Sequence, residues 1–497
     1  MTKDIKSPTP KREQPGIGRS TLINLSGLLV PTIVALITVP LYLKQIGEVR
    51  YGVLLLAFTF LGYFGAFDLG LGRAVAQRVA RQDSIEERNH TFWTAFIISG
   101  IMGVVGAIVL YFLGQWLFSE VFNIPTNLRH EMVSAIPWLA AIVPITAIIS
   151  VLAGTLEGRQ AFLAMNISQI IGVIGLQVLP LSAAMLGHKS MPVLLASALI
   201  GRLLGVIVLI ASTSHMLPIR NLPHIHKPDI GPLLRFGGWM TLSGMAIPLL
   251  SIIDRFFIGT VIGPAAVTAY AVPYNLTQRF TYLPYAISTT LYPRFARNLE
   301  SDQKKLLNDG ISTLVAIQTP LIILGILIMH PFLDLWVGST LASRASPVAI
   351  IFLIALWING PAYIPHNMLP AIGRPDIMVK FYAWEIIPFL ILLYIFIKDY
   401  GIIGAAIIFA IRAVADSAFC FIITNSSALS SRLFLITAPF IIVSATLSWQ
   451  KHWGALTIII AFICFTSSLY TAIKIMPQFI IDASLKKLRS LMDSQGN

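Results

Sequence analysis

The sequence predicts an all-helical, polytopic membrane protein, and three observations carry that reading. Apolar side chains make up 56% of the 497 residues. Charged ones make up only 11%, against about 25% in a soluble domain. Mean hydropathy is +0.79 and is spread evenly, leaving no polar stretch long enough to form a separate globular domain. Cys420 and Cys464 both sit in apolar runs, so they read as small core hydrophobes and exclude a disulfide framework or a thiolate metal cage.

A hydrocarbon core of about 30 Å needs roughly 20 apolar residues per helix. Windows of that size give about fourteen spans. The first, 20–43, follows a basic polar leader (Lys3, Lys6, Lys11, Arg12, Arg19); it is longer than a signal-peptide core and lacks a small-residue cleavage site, so it is expected to be retained. The second, 51–72, is expected to run on as a helix to Arg81, projecting its basic end past the membrane. Spans three to six occupy 92–118, 133–156, 161–187 and 192–216. Pro218, Pro223, Pro228 and Pro232 then oppose a continuous helix, so 217–232 is expected to be an extended cytoplasmic linker. His224-Ile225-His226 within it has no nearby acid or cysteine and reads as a solvated loop.

Spans seven and eight are placed at 234–261 and 266–292, the latter continuing to Arg297. Spans nine to twelve follow at 311–337, 346–369, 377–397 and 402–424, and two more at 432–449 and 454–476. Sliding the chain against itself by 216 residues aligns Arg19 with Arg235, Ile46-Gly47 with Ile262-Gly263, Phe64 with Phe280, and Arg78-Val79-Ala80-Arg81 with Arg294-Phe295-Ala296-Arg297. That offset covers six helices, an even number, so the two copies form a parallel repeat. The expected organisation is an N-terminal segment 1–19, an N-lobe 20–216, the linker 217–232, a C-lobe 233–424, two additional spans in 425–476, and a tail 477–497.

Lys and Arg set the orientation, because cytoplasmic loops retain them. With the N-terminus inside, 24 of the 35 fall on the cytoplasmic face and 7 on the other. Both termini are therefore expected in the cytoplasm, and the formal charge of +13 is mostly topological rather than a sign of nucleic acid. The basic ends at Arg81 and Arg297 fit this rule, with contact to anionic membrane lipids as the alternative.

The remaining four arginines, Arg202, Arg255, Arg279 and Arg412, lie within spans, as do the acids Asp68, Asp254, Glu385 and Asp416. An ionisable residue at a helix centre costs about 2.5–3.5 kcal/mol unless it faces a partner or water. Arg412 and Asp416 are one turn apart and Glu385 is on the preceding antiparallel helix, so these three fit either an ion-pair cluster or a substrate or ion site. Arg202 sits in Gly201-Arg202-Leu203-Leu204-Gly205, a small-residue spacing that favours close helix packing. Arg279 has no acid within a turn and needs an external partner; a guanidinium fork matches phosphate oxygens, which points to an anionic substrate such as a pyrophosphate-bearing lipid. Prolines within spans, including Pro144, Pro273, Pro284 and Pro388, bend helices and free backbone carbonyls. No phosphate-binding Gly-x-x-x-x-Gly-Lys-Ser/Thr run occurs, and neither a cofactor nor a catalytic site is expected.

The string Phe67-Asp68-Leu69-Gly70-Leu71-Gly72-Arg73-Ala74 resembles the Wzx-type polysaccharide flippases of the multidrug/oligosaccharidyl-lipid/polysaccharide exporter superfamily. So do Arg235 to Trp239, Asp254-Arg255-Phe256-Phe257-Ile258-Gly259, Gly263 to Val267 and Tyr270 to Tyr274, and the resemblance covers about residues 17 to 300. It implies two six-helix lobes with a cavity opening alternately to each side, and cationic residues that hold the headgroup of a lipid-linked oligosaccharide. It also implies a bacterial inner-membrane location, membrane lipids and polysaccharide assembly proteins as partners, and roles for Asp254 with Arg255 and for Asp68 with Arg73. Two other readings compete. An exporter of cationic drugs or metabolites would need an acid-rich N-terminal half, where Asp68 is the deeply placed acid. A membrane polymerase or ligase of lipid-linked sugars would need a long outer loop, whereas the longest runs only from about Glu120 to Met132.

Overall fold

A computed structural model describes residues 17–64, 70–216, 225–297, 300–449 and 454–478. All regular structure among the described residues is helical. The helices are α1 (Ile17–Phe64), α2 (Leu71–Arg81), α3 (Ile85–Trp116), α4 (Thr126–Gly158), α5 (Phe162–Met185), α6 (Met191–Met216) and α7 (Lys227–Val261). They continue as α8 (Pro264–Thr277), α9 (Tyr282–Arg297), α10 (Glu300–Val337), α11 (Ser339–Ala371), α12 (Pro375–Ile423), α13 (Ser427–Ser448) and α14 (Ala455–Ile475). Among the described residues, ten helices are long and apolar enough to cross a membrane. Their exposed faces carry large apolar side chains such as Phe112, Leu335, Ile387 and Phe462, the surface a bilayer would cover.

Each expected span falls on a helix, with two differences of continuity. α1 and α12 each carry two expected spans, joined at non-helical Gly47 (φ 74°) and Gly401 (φ 62°). The second span does not run unbroken to Arg81: Gly70 is left-handed (φ 61°) and a separate helix, α2, starts after it. The eighth span does run on to Arg297, through α8, a 3-10 turn at Gln278–Thr281, and α9. Gly47 and Gly263, the pair aligned by the 216-residue offset, both have positive φ (74° and 120°), a conformation in which a Cβ would be strained. These two aligned glycines thus share a backbone conformation.

The chain forms two compact units. The first comprises Met1–Gly47, Phe60–Glu120 and Pro125–Met245. α2 is amphipathic and buries Leu71, Ala74, Val75 and Val79 with Phe92 of α3, Val151 and Leu156 of α4 and Leu209 of α6. α5 and α6 meet through glycines: a Cβ on Gly201 would lie 2.2 Å from the Gly175 carbonyl carbon, and one on Gly205 would lie 2.9 Å from Gly172 Cα. The small-residue spacing around Arg202 therefore does bring two helix backbones together.

The linker differs from expectation. α7 starts at Lys227, so 227–232 is helical rather than extended. Pro228 is tolerated because the first four N–H groups of a helix have no intrahelical acceptor. Asp229, in the same first turn, complements the positive helix end. It also accepts from Arg78 Nη2 of α2 at 2.5 Å and lies 3.2 Å from His226 Nδ1. The His226 backbone N–H donates to Thr94 Oγ1 at 2.9 Å, and its ring lies 4.6 Å from that of His90. His226 is thus anchored against α3 although its side chain is 39% exposed; His224 and Asp68 fall outside the described residues.

The second unit comprises Glu48–Thr59, Val121–Ile124 and Ala246–Asn497. The segment 48–59 belongs here because Gly52 packs on the Pro264 carbonyl, Leu56 on Gly259, and Thr268 Oγ1 donates to the Glu48 carbonyl at 2.8 Å. Two apolar clusters form its interior. One joins α10 and α11 to α13 and α14 through Ile323, Ile326, Leu353, Trp357, Ile441 and Ala461. The other joins α9, α10, α11, α12 and α13 through Phe295, Ile311, Ile364, Phe421 and Leu433, with Cys420 buried on Met378.

Candidate functional site

The second unit encloses a cavity of about 410 Å³. Three stripes of side chains line it. α11 contributes Leu356, Asn359, Tyr363, His366 and Asn367, spaced to fall along one helix face. The second half of α12 contributes Phe409, Arg412, Ala413 and Asp416 at the same spacing, and Tyr382 comes from its first half. The third stripe runs along α8 and α9 as Tyr274, Gln278 and Tyr285, across the 3-10 turn that separates them. Pro273 and Pro284 flank that turn, and α11 carries Pro361 and Pro365. Each proline removes a backbone donor and lets its helix bend around the space.

One cation, Arg412, and two carboxylates, Glu385 and Asp416, lie in or beside the cavity. Arg412 Nε lies 3.5 Å from Glu385 Oε2, and both side chains are largely buried, 17% and 8% exposed. The guanidinium also sits 5.2 Å from the Phe389 ring centroid. Asp416 Oδ2 accepts from Asn359 Nδ2 at 3.1 Å, and that amide also lies within 3.2 Å of Ser417 Oγ. Asp416 Oδ1 is buried without a hydrogen bond among the described residues. His366 Nε2 and the Tyr382 hydroxyl are 2.8 Å apart, and Asn367 Nδ2 donates to Ser288 Oγ at 2.7 Å. The Glu385, Arg412 and Asp416 grouping expected from spacing is therefore present, with Arg412 joined to Glu385.

The other sequence-derived residues are placed differently. Asp254, 3% exposed, accepts from the Tyr270 hydroxyl at 2.6 Å and from the Arg255 backbone N–H at 2.7 Å. It makes no ion pair with the Arg255 side chain, whose guanidinium instead lies 4.3 Å from the Tyr274 ring centroid and reaches Asn275 Oδ1 at 3.4 Å. Arg279 sits on the 3-10 turn and donates to the Tyr282 hydroxyl. It does not line the cavity, although its neighbour Gln278 does. Arg202 has neither an ion pair nor a hydrogen bond among the described residues, and its Nε is buried. Tyr363, His366, Asn367 and Tyr382 carry no formal charge, so a search for intramembrane ions passes them over. The signal that finds the first three is a polar stripe, Asn359, Tyr363, His366 and Asn367, along one face of an otherwise apolar span; Tyr382, on α12, lies outside it.

A polytopic helical fold with a cavity lined by polar and aromatic side chains in one unit fits a membrane transporter. The family model described as polysaccharide biosynthesis protein matches residues 17–299, more than half of the chain. The protein belongs to that polysaccharide biosynthesis family. A MatE family model also matches residues 240–395. A Shigella flexneri protein described as "Putative O-antigen transporter" is 25% identical over 401 residues, which is 80% of this chain and 95% of the relative. Among solved structures, the lipid II flippase MurJ in an inward closed conformation superposes with a TM-score of 0.74 at 14% identity, covering 93% of this chain and 100% of its own. An inward-facing multidrug resistance MATE family transporter gives 0.63 at 15% identity, covering 82% and 99%. At these identities the solved structures speak to the fold alone.

Proposed function

We propose that the protein is a flippase that moves an undecaprenyl-pyrophosphate-linked oligosaccharide from the cytoplasmic to the outer leaflet of the bacterial inner membrane by alternating access. The observation that carries this reading is the state of the intramembrane arginines. Arg202, Arg255 and Arg279 form no ion pair among the described residues, whereas Arg412 does. Cations left without a counter-ion at membrane depth are costly, and a diphosphate headgroup is the ligand whose oxygens match the guanidinium fork. The surplus of basic residues on one set of loops supports cytoplasmic termini. Membership of a polysaccharide biosynthesis family and the relative named for O-antigen transport support the sugar cargo.

The reading is tested in cells lacking the protein, which should accumulate lipid-linked oligosaccharide facing the cytoplasm. The wild-type gene should clear the pool. Arg279→Ala and Arg202→Ala should fail to clear it at unchanged membrane levels, with lysine restoring only part of the function because it offers a point charge in place of a fork. Full clearance by both alanine variants would remove these arginines from the headgroup site. A second reading, export of organic cations, is favoured by the two carboxylates, Glu385 and Asp416, near Arg412 and by the MatE match. It is tested by efflux of a cationic dye from the same strains.

A further inference from the structure

We infer that the cavity of the second unit is a carbohydrate subsite, holding uncharged sugar of the cargo and not its pyrophosphate. The inference rests on the flippase reading above and assigns one part of the substrate to one set of side chains.

Charge decides against the pyrophosphate. The cation lining the cavity, Arg412, has Glu385 at 3.5 Å and Asp416 one turn away on its own helix. A diphosphate brought to Arg412 would compete with a carboxylate already in place and approach a second one, a like-charge juxtaposition that costs affinity. The intramembrane arginines without an ion pair among the described residues, Arg202, Arg255 and Arg279, do not line this space.

The lining chemistry fits a polyol. Tyrosine hydroxyls and the amides of Asn and Gln both donate and accept hydrogen bonds, as sugar hydroxyls do. Four tyrosines, two asparagines and one glutamine line the cavity, and its volume of about 410 Å³ lies in the range of small-molecule sites. The polar groups are held in place. Asn359 spends its amide protons on Asp416 and Ser417, and Tyr382 is tied to His366 at 2.8 Å.

The aromatic wall is equally fixed. Tyr274 packs edge-on against Phe352 and Phe409 at centroid distances of 5.4 and 5.8 Å. The Arg255 guanidinium lies 4.3 Å from its ring centroid, and Tyr270, hydrogen-bonded to Asp254, stacks on it at 15° between planes. Asp254 and Arg255 thus act as positioning residues for Tyr274. A rigid aromatic face beside fixed amides offers apolar contact to the C–H face of a pyranose and polar contact to its rim.

The probe is the oligosaccharide released by mild acid from the lipid-linked pool of cells lacking the protein, so that it carries no phosphate. It is titrated calorimetrically into full-length protein in detergent, with inorganic pyrophosphate titrated separately. The free oligosaccharide should bind wild type, and Tyr363→Ala and Asn367→Ala should weaken it by about tenfold or more, the effect of losing one or two contacts. Tyr363→Phe and Tyr382→Phe, which keep the packing and remove only a hydroxyl, should weaken it less, and pyrophosphate binding should be unchanged in all four. Equal oligosaccharide affinity in wild type and all four variants, no binding to wild type, or loss of pyrophosphate binding alone overturns the subsite. If no lipid-linked pool accumulates, the flippase reading itself fails and the subsite falls with it.

Discussion

Arg412→Ala isolates what this arginine does, because its neighbours fix the size of the effect. Arg412 and Glu385 are 17% and 8% exposed and 3.5 Å apart. Removing one member of a buried pair leaves the other charge uncompensated and costs about 3–5 kcal/mol, whereas replacing both with neutral groups of similar volume is often neutral. Arg412→Ala alone should therefore destabilise the second unit by about 3–5 kcal/mol, and Arg412→Met with Glu385→Gln should return to within about 1 kcal/mol of wild type. The assay is unfolding of purified protein in detergent, followed by intrinsic fluorescence, with pool clearance in cells measured in parallel. The double variant should recover both stability and much of the clearance. If Arg412→Ala unfolds like wild type yet fails to clear the pool, the arginine holds substrate and the pairing described here is incidental.

Other perturbations separate packing from surface effects. Gly201→Val places a Cβ 2.2 Å from Gly175 of the facing helix and should cost about 1–3 kcal/mol or more, seen as reduced membrane levels and earlier unfolding. Arg78→Ala leaves the buried Asp229 without its 2.5 Å partner at the start of α7 and should cost about 1–3 kcal/mol by the same unfolding measurement. Arg344→Ala breaks a pair with Glu48 whose members are 42% and 25% exposed, and should change stability by about 0–1 kcal/mol, less at high salt.

The helices were legible in the sequence because a bilayer imposes a long apolar run on every crossing, and the runs appear as helices in the described residues. Gly47 and Gly263 marked the repeat since a short turn between helices leaves little choice of residue where φ is positive. The pairing of Arg412 with Glu385 was readable from helical spacing and antiparallel neighbours. Where spacing was silent, the reading stopped short. Nothing in the spacing linked Asp254 to Tyr270, sixteen positions on, whose hydroxyl donates to its carboxylate. The linker prolines argued for extended chain, yet proline is at home in a helix's first turn, where α7 uses Pro228. The cavity itself depends on a 3-10 break at Gln278–Thr281, which no periodicity announces.

Translocation in reconstituted vesicles tests whether the protein flips lipid-linked oligosaccharide. Fluorescently tagged lipid-linked oligosaccharide, purified from cells lacking the protein, is incorporated with and without the full chain, and headgroups are probed with a membrane-impermeant reagent. Protein-free vesicles should expose only the outer-leaflet share of the pool. Vesicles containing the protein should expose nearly all of it with time, and Arg279→Ala should hold exposure near the protein-free level. If the wild-type protein leaves the inner-leaflet share protected, under an imposed proton or sodium gradient as well as without one, it does not flip this lipid.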